Sequence, residues 1–95
     1  MDYKKKQHWD KYSPDYRKEL VEKIYHWQYA NSNSFDDIIF VLIAKASLNN
    51  LNKLALGFMD YIQVFVQWQD ASDSGDDLFR QYQVGHFAHK TPEMP

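Results

Sequence analysis

The sequence predicts an all-α fold, a compact bundle of four or five short helices, and three observations carry that prediction. Ser13, Ser34 and Ser47 each stand just ahead of a run able to form a helix, where a hydroxyl accepts hydrogen bonds from the free N–H groups of the first turn. Between these starts the apolar residues recur mostly at intervals of three and four. The one run that reads as a strand by residue type, Ile38 to Ile43, has no second strand-like run to pair with. At 95 residues the chain is enough for one domain and too short for two.

Residues 1–12 mix Lys4, Lys5 and Lys6 with His8, Trp9 and Tyr12, and are expected to form a partly ordered basic and aromatic arm. The helical domain is placed at 13–82. Its first helix starts at Ser13, with Pro14 at the first helical position, where a missing donor costs nothing, and Asp15 near the positive helix end. Tyr16, Leu20, Ile24 and Trp27 form its inward stripe. Arg17, Lys18, Glu22 and Lys23 lie opposite, and Glu19 and Lys23 make an i,i+4 pair in the favourable order. Asn31 to Ser34 is a polar loop. Ser34 and Asp37 resemble a capping box, and Phe35 to Leu48 follows as a helix that is apolar on nearly every side. Such a helix must be central or must meet a partner chain.

Ser47 caps the next helix, with Leu48, Leu51, Leu54 and Ala55 expected inside and Asn49, Asn50 and Asn52 outside. Gly57 is placed to end that helix, or to kink a longer one. From about Met59 to Gln69 a further amphipathic stretch turns Phe58, Ile62, Phe65 and Val66 inward, with Tyr61 and Trp68 beside them. Asp70 to Asp77 is an acidic loop containing Gly75. A short last helix, Asp76 to Tyr82, buries Leu78, Phe79 and Tyr82, and 83–95 is expected to be a flexible tail.

The segment from Ser47 to Trp68 resembles one found in small helical proteins of phages and mobile elements. Ser47, Asn50, Lys53, Leu54, Gly57 and Phe58 match its pattern, and Ile62 and Phe65 match the later apolar and aromatic places. Met59 stands where that pattern has proline, and Tyr61 where it has an acid. The resemblance implies a phage or mobile-element setting. It carries no catalytic residues, because such proteins mostly have no assigned activity.

Composition narrows the function classes. With no cysteine there is no disulfide, cysteine-based zinc site or thiol nucleophile, which fits a cytoplasmic setting. No signal peptide is expected, since Met1 to Tyr12 has charges without an apolar core, and the apolar run Ile38 to Ala44 is too short to span a bilayer. A net charge of −2 leaves no broad basic footprint. Residues 1–30 carry seven Lys/Arg against five acids, and residues 31–95 carry four against eight, so the chain has a basic and an acidic end.

Motifs for chemistry are incomplete. His86 and His89 have a metal-ligand spacing but lack further ligands. Asp70 to Gln81 has the layout of a calcium loop, with Gly75 at the turn. Ser72 and Ser74 stand where acids or Asn are needed, and Gln81 replaces the bidentate Glu. The serines sit at caps and loops for backbone reasons. His26 reads as a neighbour of Trp27, and the three glycines are too isolated for a phosphate loop. No cofactor, metal or small-molecule substrate is expected.

The aromatic content, 17%, directs attention to contact surfaces, where Tyr and Trp are favoured anchors. The function expected is a small non-enzymatic protein-interaction module, self-association included, with Trp9, Tyr12, Trp27, Tyr29, Tyr61 and Trp68 as contact residues. Two alternatives stand beside it. The acids Asp60, Asp70, Asp73, Asp76 and Asp77 would mimic nucleic acid on a host protein. The Lys and aromatic side chains of the arm would bind single strands, although nucleic acid is the less expected partner.

Overall fold

The computed structural model describes residues 2–30 and 32–88. It contains five α-helices: α1 Lys6–Asp10, α2 Pro14–Tyr29, α3 Phe35–Lys45, α4 Leu48–Asp70 and α5 Asp76–Tyr82. A single 3₁₀ turn follows at Gly85–Phe87. No strand occurs among the described residues, so the all-α prediction holds.

All three serine caps form. The hydroxyls of Ser13, Ser34 and Ser47 accept from the backbone N–H of Tyr16, Asp37 and Asn50 at 3.2, 3.2 and 3.3 Å. Helix α2 packs against α3, α4 and α5 and is the centre of the bundle. Its Leu20, Val21 and Ile24 are fully buried with Phe40 of α3, Val64 of α4 and Phe79 of α5. Burying a side chain of this size contributes about 1.5–3 kcal/mol. Leu20 and Ile24 belong to the expected stripe, while Tyr16 and Trp27 at its ends are half-buried.

The expected central element is a flank instead. Helix α3 turns Ile39, Phe40 and Ile43 inward but leaves its other side in solvent. The helix ends at Lys45, short of the expected Leu48, and Leu48 itself is exposed. The reason is size. Helix α2 already carries three neighbours, and none of the described residues covers the second side of α3.

Gly57 does not end a helix. Helix α4 runs through it and kinks at Phe58, whose φ of −129° and ψ of 32° are non-helical. A glycine next to the bend is a common cause of such kinks. After the kink Ile62, Gln63, Val64, Phe65 and Val66 are all buried, whereas no residue from Leu48 to Gly57 is.

The two termini differ most from expectation. The arm packs: Tyr3 and Trp9 are core residues, and Trp9 sets its ring edge against Tyr12 and Tyr82. The buried amide of Gln63 donates to the carbonyl oxygen of Tyr3 at 3.0 Å, and Tyr3 donates through its hydroxyl to Asn52. At the other end, Gln83 takes a left-handed φ of 54° and the N–H of Val84 returns to the carbonyl of Phe79 at 3.0 Å. That closing turn carries Val84 into the core, so the start of the expected tail is packed.

Between α4 and α5, Asp73, Ser74 and Gly75 are consecutively left-handed, with φ of 58°, 56° and 91°. Gly75 lies buried against the Trp68 indole and the Gln28 side chain, and a Cβ there would overlap Trp68.

Candidate interaction surface

The six aromatic residues expected to form a contact surface fall in four places. Trp9 is only 3% exposed and serves the core. Tyr12 is half-buried beside it, its ring edge-on to Tyr16 at 5.6 Å. Trp27 and Trp68 meet at 5.3 Å inside a cluster with Phe40 and Phe65, and the Trp68 indole N–H donates to Gln28 at 2.5 Å. Tyr61 packs on Phe40 and Phe58 and donates through its hydroxyl to Asp36. Tyr29 alone is exposed, at 47%, and it is tied to Asp76 by a 2.5 Å hydrogen bond. The rings chiefly build the fold.

The tyrosine hydroxyls explain how. Tyr16 donates to Asp60, Tyr61 to Asp36 and Tyr29 to Asp76, each joining two different helices. Ionising such a phenol would place two negative charges together. The bond to Asp60, with partial burial, raises the Tyr16 pKa to about 12. Burial, with the bond to Asp36, raises that of Tyr61. The bond to Asp76 raises that of Tyr29, and burial with the nearby Asp60 charge raises that of Tyr12.

The alternative readings meet the same internal pairing. Among the expected acidic patch, Asp70 lies 3.5 Å from Lys4, Asp73 and Asp77 lie 3.3 and 3.7 Å from Arg80, and Asp60 and Asp76 hold tyrosines. In the basic arm Lys6 reaches Asp10, Lys11 lies over the Tyr12 ring, and the buried Trp9 ring offers no open face for base stacking. Lys23, expected beside Glu19, reaches Asp36 at 3.3 Å.

One constellation was not foreseen. Asp37 is buried, receives the Ser32 hydroxyl at 3.1 Å, and lies 3.3 Å from His26 Nδ1. The carboxylate sits between serine and histidine. A nucleophilic triad needs histidine in the middle to take the serine proton, so this arrangement fastens the end of α2 to the start of α3. His86 Nδ1 pairs with the Tyr25 hydroxyl at 2.6 Å, and His89 lies outside the described residues. Among the described residues no three of His, Cys, Asp and Glu are grouped to hold a metal ion, and no helix is long and apolar enough to cross a membrane.

The surface the residue-type argument missed is the outer side of α3. Phe35, Ile38, Val41 and Leu42 are 63, 48, 36 and 45% exposed and lie together by helical spacing. The signal was present as a helix apolar all round. Its outward direction was not, because that depends on how many neighbours the bundle supplies. Beside Leu42 a groove of about 320 Å³ opens between α3 and the first half of α4, lined by Leu42, Lys45, Ala46, Asn50, Lys53 and Leu54.

No protein-family model, curated protein or solved structure matches this chain.

Proposed function

We propose that the chain is a small, non-enzymatic, cytoplasmic protein-interaction module of a phage or mobile element, and that it makes contact through the outer face of α3. The observation that carries this reading is the contiguous exposed row Phe35, Ile38, Val41 and Leu42 on a fold whose core is already filled by α2, α4 and α5. Scattered single apolar residues on a surface need no explanation, but a row along one helix face marks a contact site. The expected aromatic anchors serve mainly inside, so this apolar row is the better candidate for the contact surface.

Self-association is a second form of the same reading, and the spacing of the row is compatible with it. Phe35, Ile38, Leu42 and Lys45 are separated by three, four and three residues, a pattern that reads the same in both directions. An antiparallel copy would set Ile38 against Leu42 twice about a two-fold axis.

A photo-crosslinking residue placed at position 38, with a control at the exposed Lys18, tests the reading in cells. Adducts from position 38 and none from position 18 are expected, and adducts of twice the chain mass identify self-association. Equal or absent labelling at both positions would refute it.

A further inference from the structure

We infer that the groove between α3 and the first half of α4 takes an amphipathic helix with acidic side chains, presented by another protein. This rests on the proposed contact face and names its occupant. The first argument is shape. The row from Phe35 to Lys45 runs for about 15 Å at 1.5 Å per residue, the length of roughly three helical turns, and its last turn, with Leu42 and Lys45, lines a groove whose wall includes Leu54. A helix laid in such a groove inserts apolar anchors at i, i+3 or i+4, and i+7.

The second argument is charge. Between Asp37 and Asp60 the sequence has no acid and two lysines, Lys45 and Lys53, and both line the groove. Neither has an ion-pair partner among the described residues, as is also true of Lys5, Lys11 and Lys18, so both charges are available to an acidic ligand. The first turn of α4, at the same end of the groove, holds no acidic side chain to offset the positive end of the helix dipole. A net-acidic protein has thus kept one apolar groove locally cationic, and acidic side chains flanking an apolar stripe complement it.

A second copy of this chain does not supply that chemistry. Among the described residues its helix with a free apolar stripe and acids is α3, and there Asp36 is already held by Lys23 and Tyr61 and the buried Asp37 by Ser32 and His26.

The test uses the full chain and three labelled 16-residue synthetic helices read by fluorescence anisotropy. One carries a Leu stripe flanked by Glu, one the same stripe flanked by Lys, and one the Glu composition with the stripe scrambled. The Glu-flanked helix is expected to bind about tenfold more tightly than the Lys-flanked one, from two partly exposed charge pairs. In the Lys45→Glu, Lys53→Glu double variant that order reverses. Both substitutions are at exposed positions, and a thermal melt confirms that the fold is kept. Leu42→Asp abolishes binding of both striped helices.

Equal binding of the two striped helices would overturn the acidic preference while leaving the contact face standing. Equal binding of the scrambled helix would overturn the groove as the site. If no helix binds while position 38 still crosslinks in cells, the inference fails and the contact face survives. If neither binds nor crosslinks, both fail.

Discussion

Replacing Gly75 with alanine is expected to destabilise the protein by about 2–5 kcal/mol, from two separable causes. A side chain at a left-handed φ costs roughly 1–2 kcal/mol, and Gly75 holds φ at 91°. The new Cβ also overlaps the Trp68 indole, which is held by Gln28 on one side and packed on Trp27 and Phe65 on the other. Forcing an extra carbon into such a site typically costs 1–3 kcal/mol. Against a total stability of about 5–14 kcal/mol for a chain of this length, the loss is large. The melting temperature should fall by about 8–40 °C, at 4–8 °C per kcal/mol. Urea unfolding followed by circular dichroism measures it. Gly57→Ala is the control: a Cβ there meets open space within a helix, so about 0.5–1 kcal/mol of stabilisation is expected. Repeating Gly75→Ala in a Trp68→Leu background separates the causes, because the smaller side chain leaves only the backbone cost. A Gly75→Ala effect below about 0.5 kcal/mol would refute the reasoning. An effect unchanged by Trp68→Leu would refute the overlap part alone.

Trp9→Ala should cost about 3–5 kcal/mol, as for other buried aromatic residues, and a denaturant midpoint within error of the parent would mean the arm is not part of the core. Ser13→Ala, Ser34→Ala and Ser47→Ala should each cost about 1 kcal/mol and should add nearly fully in the triple variant, since they cap different helices. Stability should fall as pH rises from about 10 towards 12. Over that range unfolded tyrosines have lost protons that Tyr16 and Tyr61 still hold in the folded state, whereas below pH 10 both states hold them. Tyr16→Phe should flatten this fall, and an unchanged slope in alkaline urea titrations would argue against the Tyr16–Asp60 bond.

What the sequence made legible was local. The caps at Ser13, Ser34 and Ser47 and the span of α5, Asp76–Tyr82, depend on residues within one or two turns, and all were read correctly. The stripe on α2 was legible in Leu20 and Ile24 because polar residues marked its other side. On α3 no polar side existed to mark, so the inward face of Ile39, Phe40 and Ile43 was decided by α2 and α4. The burial of Tyr3 and Trp9 depends on Gln63 and Tyr82, sixty and more residues away in sequence, and no local pattern announces that. The contact surface was half legible. The apolar excess of the Phe35–Leu48 segment raised the need for a partner, but attention to aromatic side chains pointed elsewhere, to rings that the tyrosine–carboxylate bonds and the Trp27–Trp68 cluster hold within the fold.

The kink at Phe58 divides α4 into two lengths that answer to different parts of the molecule. Beyond it, from Ile62 to Val66, the helix is enclosed on all sides, and its amides should exchange with solvent only when the whole protein unfolds. Before it, from Leu48 to Gly57, every residue is at least partly in water, so those amides should open through smaller and more frequent excursions. Hydrogen exchange should therefore drop in a single step along one continuous helix. The segment on the exchanging side of that step is also one wall of the groove.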